Sequence, residues 1–184
     1  MTTTSSLSKK SKDYSSIGSG VHNPDSSDKI EGQSLPSNQD AEQGILAACV
    51  VDASGEVISN CIEKGLRPED FYFTKHQLIY DALLDLYNDT VEPDEIVLAE
   101  KLKSNGHLEQ VGGHQGLTTL VGRIDTTAHA SFWLEIVKQK SLLRKCIYMA
   151  FEMIDGANQQ PSNVEDFLAN FEQRVCSLGD DQNL

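Results

Sequence analysis

The 184-residue sequence contains no long apolar run, and this absence excludes several classes of protein. A transmembrane helix needs about 20 consecutive, mostly apolar residues, and no stretch approaches that length. The first 35 residues also lack the apolar core of a secretory signal. Their four acidic residues (Asp13, Asp25, Asp28 and Glu31) do not fit an acid-poor transit peptide. The sequence therefore predicts a cytoplasmic protein.

The sequence also lacks the residues of a nucleotide-hydrolysing loop. A P-loop ends in Gly-Lys-Ser/Thr, so that the lysine meets phosphate and the hydroxyl meets Mg²⁺, and the dipeptide Gly-Lys does not occur in this chain. Gly112, Gly113 and Gly116 come near a dinucleotide-binding fingerprint, but their spacing is wrong and no strand precedes them. They predict a turn that opens a helix, and we expect no autonomous ATP hydrolysis.

No group of side chains has the spacing of a metal or catalytic site. His107 and His114 flank the glycine turn, but no carboxylate or thiol joins them at a ligand spacing. His76, in the first turn of a predicted helix, has no obvious acidic partner in the sequence. We therefore predict no catalytic, cofactor-binding or metal-binding residue in this chain, and hence no enzyme.

The chain has four cysteines, at positions 49, 61, 146 and 176, and none forms a CxxC pair. Each of Cys49, Cys61, Cys146 and Cys176 lies in an apolar helical pattern. We interpret all four as reduced thiols in the core of a cytosolic protein.

Basic residues are too few to balance the acidic ones, and the net charge is −13. Four lysines balance the four acidic residues in the first 35 positions, so the whole excess belongs to residues 36–184. Phosphate backbones repel such a domain, which makes direct binding of duplex DNA improbable and a basic partner more natural. Asp81, Asp85 and Asp89 recur every four residues along one predicted helix. We interpret them as a solvated face, and the alternative is a face that contacts a basic partner.

The remaining pattern is helical and divides the chain into regions. Residues 1–35 are polar and aperiodic, which predicts a disordered tail. Residues 36–125 predict a compact helical globular subdomain of five or six helices. Its helices are expected at 39–51 after a Ser37 cap, 57–62, 67–71 as a single turn, 74–88 after a Thr74–Gln77 capping box, 95–105 after an Asp94 cap, and 117–124.

Residues 126–179 predict an antiparallel helical hairpin, with 180–184 as the start of a linker or a C-terminal tail. A long helix from about Ala128 to Asp155 carries two apolar stripes, one beginning at Phe132 and the other at Leu142. Gly156 is expected to end it. Ser162 and Glu165 form a capping box for a second helix that closes at Gly179.

The hairpin has more apolar surface than its two helices can bury against each other. An exposed apolar stripe usually marks a protein interface. The alternative is that the stripe packs back on the first five helices, and Trp133 could equally pack on the hairpin partner. The candidate oligomer or partner interface consists of Phe132, Trp133, Ile136, Leu142, Cys146, Met149, Met153, Phe167, Phe171 and Val175.

Three short runs, in order and at characteristic spacings, resemble the N-terminal domain of DnaB-type replicative DNA helicases. PSNQDAEQGIL at 36–46 is similar to the family's opening around Ala-Glu-Gln. DFY at 70–72 with HQLIY at 76–80, and LAEKLKSNGHLEQVGG at 98–113, are similar to its next two motifs. The resemblance covers about residues 35–180. The matching positions look structural, with Phe71, Tyr72 and the Gly112–Gly113 turn serving packing and backbone geometry.

The resemblance implies an all-α globular unit followed by a hairpin, acting in DNA replication. It implies self-association through hairpins as a dimer, with a hexameric ring built as a trimer of dimers. It further implies a docking surface for primase and, in some systems, for a helicase loader. ATP and Mg²⁺ would bind only in a C-terminal domain outside this sequence, and a longer parent protein would be the ATP-dependent DNA helicase.

The sequence leaves one alternative open. The chain reaches Leu184 about where the family's linker to the ATPase domain would begin. It is therefore either part of a longer helicase, serving as its non-catalytic assembly and docking domain, or a stand-alone helical regulator that binds a helicase ring.

Overall fold

A computed structural model describes residues 29–30 and 33–180 of the chain. Two short strands, β1 (Lys29–Ile30) and β2 (Gln33–Ser34), pair antiparallel before the first helix. The described elements that follow are helical. They are α1 (Gln39–Val51), α2 (Glu56–Glu63), α3 (Thr74–Asn88), α4 (Glu95–Ser104), α5 (Gly113–Val121), α6 (Ala130–Asn158) and α7 (Val164–Asp180), with 3₁₀ turns at Pro68–Asp70 and Glu109–Val111. The predicted all-α bundle and hairpin are confirmed.

The first five helices enclose one core. Ile45, Leu46, Leu83, Leu98 and Leu117, from four different helices, are all fully buried in it. The expected disorder of residues 1–35 falls mostly outside the described residues. Leu35 is buried in the bundle, so the ordered part begins before Pro36. Among the described residues, no helix is both long and apolar enough to cross a membrane.

Several helix ends differ from the sequence-based prediction. The cap of α1 is Asn38, whose side chain accepts the Ala41 amide at 2.9 Å, and not Ser37. Helix α3 starts at Thr74 without a side-chain cap, so the Thr74–Gln77 capping box is wrong. The Gln77 amide instead donates to the carbonyl oxygen of Phe71, six residues earlier, at 2.8 Å. The Asp94 cap and the left-handed stop at Gly106 are confirmed.

The hairpin also differs at its turn. Gly156 does not end α6, which continues to Asn158. The missing side chain of Gly156 leaves room for the Phe167 ring of α7. Gly179 lies within α7, which runs on to Asp180. The capping box at Ser162 and Glu165 is wrong as well. Asn163 caps α7, since its side-chain oxygen accepts the amides of Glu165 and Asp166 at 3.1 and 3.2 Å.

The observed cap gives a direct prediction. Asn163→Ala will lower the free energy of unfolding by about 0.5–2 kcal/mol, because two amides in the first turn of α7 lose their acceptor. Ser162→Ala is the matched control at the neighbouring position and will leave the urea midpoint unchanged. If Ser162→Ala lowered the urea midpoint and Asn163→Ala did not, Ser162 and not Asn163 would be the cap of α7.

The cysteine prediction holds for two of the four positions. Cys49 and Cys61 are buried, and the hydrogen bond with Cys61, together with burial, raises the pKa of the Cys49 thiol. Cys146 and Cys176 are exposed on the hairpin, so the prediction of core thiols is wrong there. The apolar pattern around both was correct, but in the described chain the hairpin has no layer that covers it.

Candidate assembly surface and the network that positions it

Helix α6 packs on the globular bundle only through its first half. Its buried residues are Ala130, Leu134, Val137, Ser141 and Arg144, and its main partner is α1. None of these five belongs to either stripe that the sequence suggested, and two of them, Ser141 and Arg144, are polar. Phe132 and Leu143, from the predicted stripe, are 65% and 48% exposed. Half of α6 is thereby fixed, and the other half extends beyond the bundle with α7.

Close packing aligns α6 with α1 at one glycine. The Trp133 ring lies where a side chain at Gly44 would be, since a Cβ built there would come within 2.6 Å of the indole. His129 lies edge-on to the same ring, with centroids 6.0 Å apart. Trp133 therefore fills the space between α6 and α1 of the bundle.

Glu42 anchors the segment between the 3₁₀ turn at Pro68–Asp70 and α3. It is only 1% exposed. Its carboxylate accepts the amides of Tyr72 at 2.9 Å and Phe73 at 3.4 Å, and it lies 2.7 Å from Nδ1 of His76. A buried carboxylate is tolerated only when such donors replace water. The expectation that His76 has no acidic partner is wrong, because the partner is 34 residues away in sequence.

Asp70 and Arg144 tie the same segment to α6. The Asp70 carboxylate accepts Ser141 Oγ at 2.6 Å and Lys145 Nζ at 2.9 Å. The Arg144 guanidinium donates to the carbonyl oxygens of Asp70 at 2.6 Å and Pro36 at 2.7 Å. We call Glu42, Asp70, His76, Ser141 and Arg144 the buried polar network. It sets the direction in which α6 leaves the bundle.

The charge state of Asp70 follows from these contacts. Burial alone would raise the pKa of Asp70, but hydrogen bonds from Lys145, Ser141 and the Arg67 amide outweigh it and hold that pKa below its ordinary value. Because the folded pKa is depressed, the stabilisation is present above the unfolded pKa of about 4 and is lost as the pH falls through the folded value.

The lowered pKa of Asp70 gives a second prediction. At pH 7, Asp70→Asn will lower the free energy of unfolding by about 1–3 kcal/mol, and the deficit will shrink as the pH is lowered below about 4. Urea denaturation at pH 7, 4 and 3 measures it. Asp81→Asn, on an exposed part of α3, is the control and will track the wild type. A deficit independent of pH would contradict an ionised Asp70 in the network.

The free half of the hairpin carries an apolar groove between α6 and α7, with a volume of about 370 Å³. We call it the hairpin groove. Phe171 is the one buried side chain among residues 164–178 of α7, where Val164, Leu168 and Val175 are half exposed. The groove is lined by Leu142, Cys146, Met149, Ala150, Met153, Phe171, Val175 and Leu178.

The ten candidate interface residues divide into three sets. Trp133 and Ile136 pack against the core of the bundle. Phe132 is exposed on the first half of α6, and Phe167 stacks edge-on against Phe171 with ring centroids 5.0 Å apart. The remaining six, Leu142, Cys146, Met149, Met153, Phe171 and Val175, line the hairpin groove.

The roles of Glu42, Asp70 and Arg144 were not predicted from the sequence. Glu42 and Asp70 stand inside the Ala-Glu-Gln and Asp-Phe-Tyr runs, so the motifs marked them without revealing their contacts. Phe71, 1% exposed, and the positive φ angles of Gly112 and Gly113 agree with packing and turn geometry. Two of the three aspartates that recur along α3 form ion pairs, since Nζ of Lys101 lies 3.3 Å from the carboxylate of Asp85 and 3.2 Å from that of Asp89.

Residues 34–139 match the family described as the DnaB-like helicase N-terminal domain. Among curated proteins, the replicative DNA helicase DnaC of Bacillus subtilis is 31% identical over 157 residues, which cover 85% of this chain. The replicative DNA helicase DnaB of Mycobacterium leprae is 36% identical over 116 residues, covering 63% of this chain. The matched regions are 34% and 19% of those two relatives, so the chain spans about a third or less of their length.

Two solved structures share the fold. The N-terminal domain of DnaB helicase from Mycobacterium tuberculosis superposes with a TM-score of 0.69 at 30% identity, covering 76% of this chain and 97% of that one. A DnaB-like replicative helicase, described with its interactions with primase, superposes with a TM-score of 0.64 at 23% identity. It covers 76% of this chain and 31% of that one.

Proposed function

Because this chain belongs to the family of DnaB-like helicase N-terminal domains, we propose that it is the non-catalytic assembly and docking domain of a replicative DNA helicase. The proposed assembly region is residues 126–179, and the hairpin groove is its centre. The observation that carries this proposal is the isolation of α7, a 17-residue helix with one buried side chain among those described. A helix so poorly covered needs a further apolar surface.

A second copy of the hairpin is the proposed cover, because each copy carries the same groove. An interface between two identical patches is self-complementary, and each substitution appears in it twice. The dimer is the smallest closed assembly, and a hexameric ring of three dimers is the larger one that we propose. The hydrolysis of ATP, with its Mg²⁺, belongs in this proposal to a separate domain, so this chain alone should show only background ATPase.

Self-association is the first test. We expect the wild type to have at least the mass of a dimer in light scattering at high micromolar concentration. Val175→Asp places a charge on the rim of the groove at a side chain that is 58% exposed, so the fold should survive. It will weaken self-association by roughly tenfold or more, because two unpaired charges become buried in each interface.

Ile96→Asp is the matched control. Ile96 is 75% exposed on α4, in the globular bundle, and its replacement adds the same charge to the chain. This variant will associate like the wild type. A wild type that stays strictly monomeric at high micromolar concentration, or equal effects of the two substitutions, would refute assembly through the hairpin.

Primase is the partner that we propose for the assembled domain, with a helicase loader as a second one. The support is the family and the neighbour whose description includes primase. The net charge of −13 disfavours direct contact with duplex DNA and suits a basic protein surface. Titration with the primase from the same genome tests this, and Val175→Asp separates docking that needs the assembly from docking that does not. No binding at tens of micromolar would refute it.

A further inference from the structure

The globular bundle carries a second groove, far along the chain from the hairpin. Two adjoining depressions of about 400 and 370 Å³ share Ser54, Gly55 and Tyr87. They lie between the start of α2 and the end of α3. We call them together the acidic groove. Its floor is apolar, with Ile58 buried and with Tyr87 and Val91 40% and 41% exposed. Its rim carries Glu56, Glu63 and Glu92.

The rim is strongly and openly negative. None of its three glutamates takes part in an ion pair with another described residue. Residues 52–95 hold eleven acidic and three basic side chains, a net charge of −8. Charge of one sign beside an apolar floor favours a segment that combines lysines with an apolar anchor. Within the described residues, no such segment lies on this groove.

The sequence itself contains a segment of that kind. The first twelve residues have three lysines and no acid, whereas residues 13–35 have one lysine and four acids. The net charges are +3 and −3, so the tail is neutral only as a whole. Leu7 precedes Lys9, Lys10 and Lys12 and supplies the apolar side chain. We propose that Leu7–Lys12 of this chain docks in the acidic groove, with Leu7 on its floor and the lysines at its rim.

The distance permits this contact within one chain. The groove begins just beyond the C-terminal end of α1, whose 13 residues span about 20 Å. The chain approaches α1 at its other end. Between Lys12 and Lys29 lie enough residues for a span of at most about 60 Å. Tethering raises the local concentration of the segment into the millimolar range, which suffices for a few weak ion pairs and one apolar contact.

Zero-length carbodiimide coupling tests the proposal on the full chain, because it joins a lysine amine only to a carboxylate in contact with it. Equal amounts of ¹⁴N- and ¹⁵N-labelled chain are mixed, so that mass spectrometry separates links within a chain from links between copies. We expect links from Lys9, Lys10 or Lys12 to Glu56, Glu63 or Glu92 within one chain. At 1 M salt the Debye length falls to about 3 Å, and these links should largely disappear.

Two variants sharpen the test. Leu7→Asp leaves all three lysines in place and should reduce the groove links roughly tenfold if the apolar anchor is seated. Lys103→Glu, at an exposed lysine of α4 that does not line the groove, changes the net charge by two units against one and should leave the links unchanged. Links spread over Asp81, Asp89 and other exposed acids, links mainly between copies, or no links at all would each overturn the proposal. The test is independent of the hairpin, because Val175→Asp should give the same links as the wild type.

Discussion

Glu42→Ala will lower the free energy of unfolding by about 3–5 kcal/mol, the range for removing one partner of a buried charged network. The substitution leaves two buried amides, those of Tyr72 and Phe73, without their acceptor. It also leaves His76 buried at 1% exposure without its acidic partner. Urea denaturation followed by circular dichroism measures the loss.

Two further variants distinguish the network from a general effect on α1. Glu42→Gln keeps the shape and one acceptor oxygen but loses the charge, so its cost should lie between those of the wild type and the alanine variant. Asp40→Ala removes a carboxylate that is 89% exposed two residues earlier, and it should cost less than about 1 kcal/mol. A Glu42→Ala protein as stable as Asp40→Ala would contradict the buried polar network.

Arg144→Leu will lower the free energy of unfolding by about 2–5 kcal/mol. Leucine fills much of the space but donates no hydrogen bond, so the carbonyl oxygens of Pro36 and Asp70 lose their donors, each at about 1–3 kcal/mol. The effect should be local first, because these contacts fasten α6 to the bundle. Hydrogen exchange at the middle of α6 should therefore accelerate more than exchange within α3.

Two controls belong with Arg144→Leu. Lys140→Leu makes the same kind of change one helical turn earlier, at a lysine that donates no hydrogen bond to a described residue, and should be nearly neutral. Arg144→Lys keeps the charge but lacks the planar guanidinium that reaches two carbonyl oxygens. Its free energy of unfolding should therefore lie between those of the wild type and Arg144→Leu. Equal exchange in α6 for Arg144→Leu and Lys140→Leu would show that packing alone positions the hairpin.

The sequence revealed the helices because their signal is local. The span of α1 from 39 to 51 was predicted residue for residue, since Ile45 and Cys49 repeat at helical spacing and Asp52–Gly55 breaks the pattern. Helix ends were less predictable. Ser37 and Asn38 are both favoured caps by residue type, so residue type alone does not decide which of them caps α1.

The contacts that position the hairpin could not be predicted from periodicity. The buried face of α6 includes Ser141 and Arg144, which an apolar pattern excludes by construction, and their partners lie 71 to 108 residues away. Glu42 and His76 are each unremarkable on their own helices, and only the fold brings them within 2.7 Å. The apolar surplus of the hairpin was visible, because it depends on composition along one helix and not on distant partners.

In α7, Phe171 is the one buried side chain among residues 164–178, and this changes what a stability measurement reports. If its remaining apolar residues are covered by another copy, folding of this helix and association are one equilibrium, and dilution shifts both by mass action. Helicity in residues 164–180 would then fall as the protein is diluted, while the bundle around Leu46 and Leu83 stays folded. A melting temperature for the chain would consequently have meaning only with its protein concentration stated.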